Sequence, residues 1–302
     1  MPIPYRFNPM GKSNRPQAFE LVVKPGILAS SMTYGFTPSW NSGGYCSVDW
    51  GDGSKEDAVK SGTALNHTYV TAGTYAIRIK AVCYKVQFGG WGSYPIVDSC
   101  SGDWDKLGDL TSGNLMFSMC GNLTASISNL PDGITDGYYM FYHCSNVALS
   151  LYRLPESLTH GTGMFEGCSK AQFYFKEFPA GFTGGTGMFS GTRCNFRFTE
   201  LPDSITNGSS MFSGTIRSSF SITKLPAGLI NGSGMFYNTG ATINLDTLAA
   251  NAPAEGWTAL TNITNMFCYS PNVTGSRSAF LAKCPADVSG ASGAFTGTNT
   301  TE

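Results

Sequence analysis

Met164-Phe165-Glu166-Gly167-Cys168-Ser169-Lys170 is the stretch from which the rest of the chain can be read. Its Met-Phe pair recurs at Met116-Phe117, Met140-Phe141, Met188-Phe189, Met211-Phe212, Met235-Phe236 and Met266-Phe267, so that successive spacings are 24, 24, 24, 23, 24 and 31 residues. Leu130-Pro131, Leu154-Pro155, Phe178-Pro179, Leu201-Pro202 and Leu225-Pro226 keep step with it. Between each Met-Phe and the next such turn lies a short alternating segment: Leu149-Ser150-Leu151, Phe173-Tyr174-Phe175, Phe196-Arg197-Phe198, Phe220-Ser221-Ile222 and Ile243-Asn244-Leu245. Alternation of period two predicts one β-strand in each. A unit of this size cannot bury its own apolar side, but stacked copies share a core, so the pattern predicts a solenoid over 105–245. Phe117, Phe141, Phe165, Phe189, Phe212 and Phe236 are its expected core ladder. The seventh unit is stretched through Trp257 and Ala294-Phe295-Thr296-Gly297 is a degenerate eighth, so 246–302 reads as irregular repeats and a C-terminal cap.

Composition agrees with a mainly β chain. Only 13% of the 302 residues are charged, against roughly 25% in an average domain, while 37 glycines and 15 prolines interrupt a 41% apolar fraction. Long helices do not tolerate that glycine density, and disordered chains lack so many aromatics. With 19 basic and 20 acidic residues the net charge is -1, which argues against nucleic acid as a partner. No secretory signal and no membrane-spanning run is visible. Residues 1–17 read as an extended, proline-rich arm suited to docking along a neighbouring subunit, hence to a homo-oligomer or larger assembly. Nine cysteines cannot all pair within one chain, so a disulfide scaffold is not expected. The seven Asn-x-Ser/Thr triplets carry no weight as glycosylation sites.

Residues 18–104 form a separate unit. Phe19 to Val23, Tyr45 to Trp50 and Tyr75 to Val82 alternate like strands, and Asp52-Gly53 marks a tight turn. Val48-Asp49-Trp50-Gly51-Asp52-Gly53, followed by His67-Thr68-Tyr69 and Gly73-Thr74-Tyr75, resembles the PKD domain, an immunoglobulin-like β-sandwich. That resemblance implies a spacer or a protein- or sugar-binding module. The Gly and aromatic loop Phe88 to Tyr94 would cover an edge strand or offer a contact. Met-Phe-x-Gly-Cys together with Leu-Pro-x-x-Leu/Ile-Thr resembles the leucine-rich repeats of BspA-like bacterial surface proteins, over about 107–270. It implies an adhesive surface rather than an active site.

Columns through the repeats hold the candidate chemistry, since equivalent residues of stacked strands lie about 4.8 Å apart. Cys120, Cys144 and Cys168 share a column with Thr192, Thr215 and Thr239, which suits a ladder of small half-buried groups, although neighbouring thiols would be within disulfide reach. Asn129, Arg153, Glu177, Glu200 and Lys224 precede the turns. The spacing of Glu177 and Glu200 fits a retaining glycosidase pair, but flanking Arg153 and Lys224 would hold both acids ionised, so a solvated charge ladder is the better reading. His67 most simply closes a turn, and Asp49 and Asp52 most simply serve their turn, with calcium as the alternative. His143 and His160 follow no metal or triad pattern. Strand positions facing away from the core put Tyr152, Tyr174, Lys176 and Arg197 on one surface, the best candidate for ligand binding.

These readings converge on a non-enzymatic protein with no cofactor and no metal: a bacteriophage virion component such as a head decoration, fibre or tail attachment protein. Its expected place is the virion surface, and its expected partners are other virion or surface proteins and bacterial surface glycan. A bacterial surface adhesin that binds host protein or glycan is the alternative, and a polysaccharide-degrading enzyme using Glu177 and Glu200 is a third reading.

Overall fold

In the computed structural model, residues 18–24, 32–58, 60–89 and 96–302 are described. The expected arm, 1–17, and the distal part of the Phe88–Tyr94 loop lie outside them. The chain is mainly β, with 27% strand and 6% helix.

Eight strands occupy the first hundred residues: β1 (Phe19–Val23), β2 (Met32–Ser39), β3 (Tyr45–Asp49), β4 (Lys55–Asp57), β5 (Leu65–Tyr69), β6 (Tyr75–Val82), β7 (Lys85–Gln87) and β8 (Val97–Cys100). They form one sheet of order β4-β3-β6-β1-β8 and another of order β5-β2-β7, with all strand pairs antiparallel. Alternation explains the burial: Phe19, Leu21 and Val23 point inward from β1, as do Ile77 and Ile79 from β6. Trp50, directly after β3, is buried with its ring against Phe36 of β2 and His67 of β5, and Tyr69 Oη donates to its carbonyl at 2.8 Å. The Trp50 amide donates to Ser54 O at 3.0 Å, closing the turn expected at Asp52-Gly53.

From residue 113 onward the chain repeats a single hydrogen bond. The amide of each Met-Phe phenylalanine donates to the methionine carbonyl of the next repeat: Phe117 to Met140, Phe141 to Met164, Phe165 to Met188, Phe189 to Met211, Phe212 to Met235 and Phe236 to Met266, all at 2.8–3.0 Å. Phe267 continues it to Ala294 at 2.9 Å, which makes Ala294-Phe295 the eighth repeat. The rings follow the backbone. From Phe117 to Phe236 neighbouring rings stack with centroids 5.5–6.1 Å apart, and Phe267 and Phe295 extend the column at 5.8 and 5.6 Å.

Each methionine fills space that a glycine leaves open. A Cβ on Gly161 would fall 2.9 Å from Met188 Sδ, and one on Gly185 2.8 Å from Met211 Cε, so glycine three residues before one Met makes room for the Met of the following repeat. Asx turns set the entry to the Met-Phe segment: Asp136, Asn207, Asn231 and Asn262 each accept the amide two residues on, at 2.9–3.0 Å. Three of the Asn-x-Ser/Thr triplets, at Asn207, Asn231 and Asn262, are therefore turn signatures of the repeat.

Parallel strands join the repeats on another side: β9 (Ser126–Ile127), β10 (Ala148–Leu151), β11 (Gln172–Phe173) and β12 (Arg193–Cys194) in one sheet, β13 (Ser221–Ile222), β14 (Thr242–Asn244), β15 (Val273–Ser276) and β16 (Asn299–Thr301) in a second. Two expectations need correction here. No strand forms at Phe196-Arg197-Phe198; the ladder instead uses Arg193 and Cys194, which pair with Gln172 and Phe173, three residues earlier than a 24-residue period predicts. Ser150 pairs with Gln172 rather than Tyr174, a register two residues from the one the sequence suggests. The longer spacing before Met266 accommodates α1 (Leu245–Ala250), which packs against α2 (Arg277–Leu281) without interrupting the ladder.

The division near residue 104 is not a break in the core. Phe88, just after β7, donates its amide to Met116 O at 2.7 Å and stacks on Phe117 at 5.2 Å, while Phe19 stacks on Phe88 at 5.5 Å. One ring column thus runs from β1 to Phe295.

Phe189 contacts the rings of Phe165, Phe173, Phe175, Phe178, Phe196 and Phe212. Phe189→Ala is therefore expected to cost about 3 to 5 kcal/mol, read as a fall in the denaturation midpoint; an unchanged midpoint would show that the ring is not core. Acid should also destabilise the fold. The Gly51 amide and Lys55 hold Asp49 below its ordinary value of 3.8. Burial alone would raise Asp52, but Ser54 and His67 outweigh it and lower it. The Ala227 amide and Lys224 lower Asp203. Carboxylates depressed in the folded state stabilise it fully above their unfolded value and lose that contribution as pH falls through the folded one. Thermal scans from about pH 6 to about pH 2 should show a melting temperature that drops below about pH 4; a flat profile would contradict this.

Candidate functional site

Tyr152, Tyr174, Lys176 and Arg197 line one groove of about 480 Å³, together with Arg153, Glu156 and Glu177. The observed register brings them together. With Ser150 opposite Gln172, Tyr152 falls opposite Tyr174, and the two rings stack at 5.3 Å and 22°. The Arg197 amide donates to Phe175 O at 3.3 Å, which sets Arg197 opposite Lys176. Tyr152 is 68% exposed, a large ring left in water while Leu151 and Leu154 on either side are buried. Tyr174 is half-buried and its hydroxyl donates to Gln172 Oε1. The groove thus offers a stacked aromatic platform beside Lys176 and Arg197.

Glu177 opens into this groove, whereas Glu200 is exposed at an isolated bridge to Lys224 and does not line it. Arg153 and Lys224 do not neutralise this pair as the sequence suggested. Arg153 binds Asp132 at 2.5 Å and Lys224 binds Asp203 at 3.0 Å, in both cases the acid that follows Leu-Pro one repeat earlier. That partner is hidden from a column-by-column reading because it lies 21 residues away in sequence.

The thiol column is structural. Cys144 Sγ donates to Phe117 O at 2.9 Å and Cys168 Sγ to Phe141 O at 3.0 Å, while Thr192 and Thr215 hydroxyls donate to Phe189 O and Phe212 O at 2.6 and 2.7 Å. Ser270, which the sequence reading left out, continues the column by donating to Phe236 O at 2.6 Å. Burial pushes the Cys144 and Cys168 thiols up, and Cys120 up to about 12, so they stay protonated at neutral pH. Among the described residues eight cysteines carry free thiols.

His67 has the acidic partner that its sequence neighbourhood does not reveal: Nε2 lies 2.7 Å from Asp52 Oδ2, and the ring stacks on Trp50 at 5.1 Å. Asp49 and Asp52 spend their oxygens locally, on the Gly51 amide and Lys55 and on the Ser54 amide and His67. Among the described residues no group of three or more His, Cys, Asp or Glu is arranged to hold a metal ion. A 350 Å³ pocket over β1, β3 and β6 contains the Glu20–Arg78 and Asp49–Lys55 pairs, with Lys80 as a further cation in its lining. No helix among the described residues is long and apolar enough to cross a membrane.

A scan of protein-family models finds no match to this chain, and searches of curated proteins and of solved structures find none either.

Tyr152→Ala and Lys176→Gln should each change stability by no more than about 0.5 kcal/mol, as exposed positions do. A denaturant titration that gives a loss of the size expected for Phe189→Ala would show that these side chains belong to the core.

Proposed function

We propose that this is a non-enzymatic binding and structural protein of a bacteriophage virion, a head decoration, fibre or tail attachment protein that displays an adhesive surface. In this reading residues 18–104 are a PKD-like, immunoglobulin-like β-sandwich and the repeats are a leucine-rich-repeat-type solenoid. The two-sheet arrangement around Trp50 supports the first assignment, and the in-register Met-Phe hydrogen bonds support the second. Free, buried thiols support assembly in a reducing compartment, as in the cytoplasm of an infected cell, over export through an oxidising one.

The observation that carries the reading is the exposed Tyr152–Tyr174 stack in its groove. Stacked aromatic rings have few torsions to immobilise on binding and present an apolar face, the combination that binding hot spots and sugar rings exploit. Bacterial surface glycan is the proposed ligand of this platform, and other virion proteins are the proposed structural partners.

Purified chain should bind whole host bacteria, with Tyr152→Ala/Tyr174→Ala weakening binding by about 2 kcal/mol at unchanged melting temperature, and mass spectrometry of purified particles should find the chain. Equal binding by the double variant would remove the groove from the account. Recovery from the bacterial envelope and not from particles would replace the virion by a cell-surface adhesin.

A further inference from the structure

Beside the tyrosine groove lies a second one, of about 650 Å³, that crosses three repeats and is lined by Lys170, Gln172, Arg193, Ile216 and Arg217, with Gly191 and Gly214 among its other lining residues. No acidic residue lines it. Lys170, Arg193 and Arg217 are all exposed, one from each of three successive repeats. Lys170 donates to Asn146 Oδ1 at 2.7 Å, and none of the three belongs to an ion pair among the described residues. Lys176 and Arg197, in the neighbouring groove, are likewise outside these pairs. Five of the ten Lys and Arg residues between 105 and 302 thus occupy one face of a chain whose net charge is -1.

Glu156 and Glu177 line the tyrosine groove, but the three cations of the second groove have no acid beside them in its lining, and such like charge costs free energy unless an anion meets it. The core fixes its spacing: the Phe165, Phe189 and Phe212 rings beneath are each 5.7 Å from the next, so the three cations are carried on supports a few ångströms apart along a line. We propose that this face binds an acidic polysaccharide, with Lys170, Arg193 and Arg217 meeting successive anionic groups and Tyr152 and Tyr174 stacking on sugar rings alongside. An extended polysaccharide advances by about the rise of one repeat per sugar residue, so its anionic groups can follow the cations from repeat to repeat. The inference rests on the reading of this face as a glycan-binding surface and specifies the charge of its ligand. A nucleic acid fits less well, since the rest of the chain supplies no positive excess to hold a longer phosphate backbone.

The test is binding of the full chain to polygalacturonate, heparin and dextran, with single-stranded DNA as a fourth arm, each over a salt series. Polygalacturonate or heparin should bind and dextran should bind more weakly, with affinity falling as salt rises; the two acidic probes separate carboxylate from sulfate as the favoured anion. Lys170→Gln/Arg193→Gln/Arg217→Gln should weaken binding of the acidic probe by about tenfold, and Lys170→Arg should keep it. The salt series on the unaltered chain stands even if the triple variant fails to fold. Equal binding of dextran, salt-independent binding, an unaffected triple variant, or tighter binding of DNA than of either polysaccharide would overturn the proposal. Dextran binding that is lost in Tyr152→Ala/Tyr174→Ala but kept in the triple variant would leave the glycan-display reading standing without it.

Discussion

Everything in the repeats depends on one contact, the phenylalanine amide that donates to the methionine carbonyl of the next repeat while its ring stacks on the next ring. A buried amide without a partner is expensive, and a buried phenyl ring without neighbours leaves a cavity, so each repeat needs the following one twice over. The requirement passes from Phe117 to Phe267 without a gap. It also passes backwards. Phe88 makes the same hydrogen bond to Met116 and stacks on Phe117, so the β-rich first hundred residues close one end of the column while Phe295 lies at the other.

That constraint decides where variation is tolerated. The residue before each Met and the one three after it take left-handed backbone, as at Gly163 with φ 57° and Gly167 with φ 75°, yet Tyr139 and His143 occupy the same two positions with φ 50° and 54°. Bulky residues in that conformation cost on the order of 1 kcal/mol each, which the column on either side must over-determine. Side chains on the strand side meet no such restriction. They can be Tyr, Lys, Arg or Ser without altering the hydrogen bonds beneath, and so this side is where recognition chemistry can accumulate.

Much of this was legible in the sequence because the contact repeats as a dipeptide. Met-Phe and Leu-Pro gave the period, the buried ladder and the outward positions of Tyr152, Tyr174, Lys176 and Arg197. What was not legible depends on offsets that the period conceals. Phe88 has no methionine before it, so nothing marked it as the first member of the column. The strand ladder runs at offsets shorter than the Met-Phe period, 22 residues from Ser150 to Gln172 and 21 from Gln172 to Arg193, which takes the strand away from where Phe196 and Phe198 alternate. The 31-residue spacing before Met266 concealed Ser270, which stands four residues after that methionine and continues the thiol and hydroxyl column. Lys170, Arg193 and Arg217 stand 6, 5 and 6 residues after their methionines, so they form no strict column in sequence although they line one groove in space.

The most direct measurement of this account is native-state hydrogen exchange at the phenylalanine amides. Phe88, Phe117, Phe141, Phe165, Phe189, Phe212, Phe236 and Phe267 should exchange together and among the slowest in the chain, opening as one unit that spans both halves. Rapid exchange at these amides, or slow exchange confined to one side of residue 104, would contradict it.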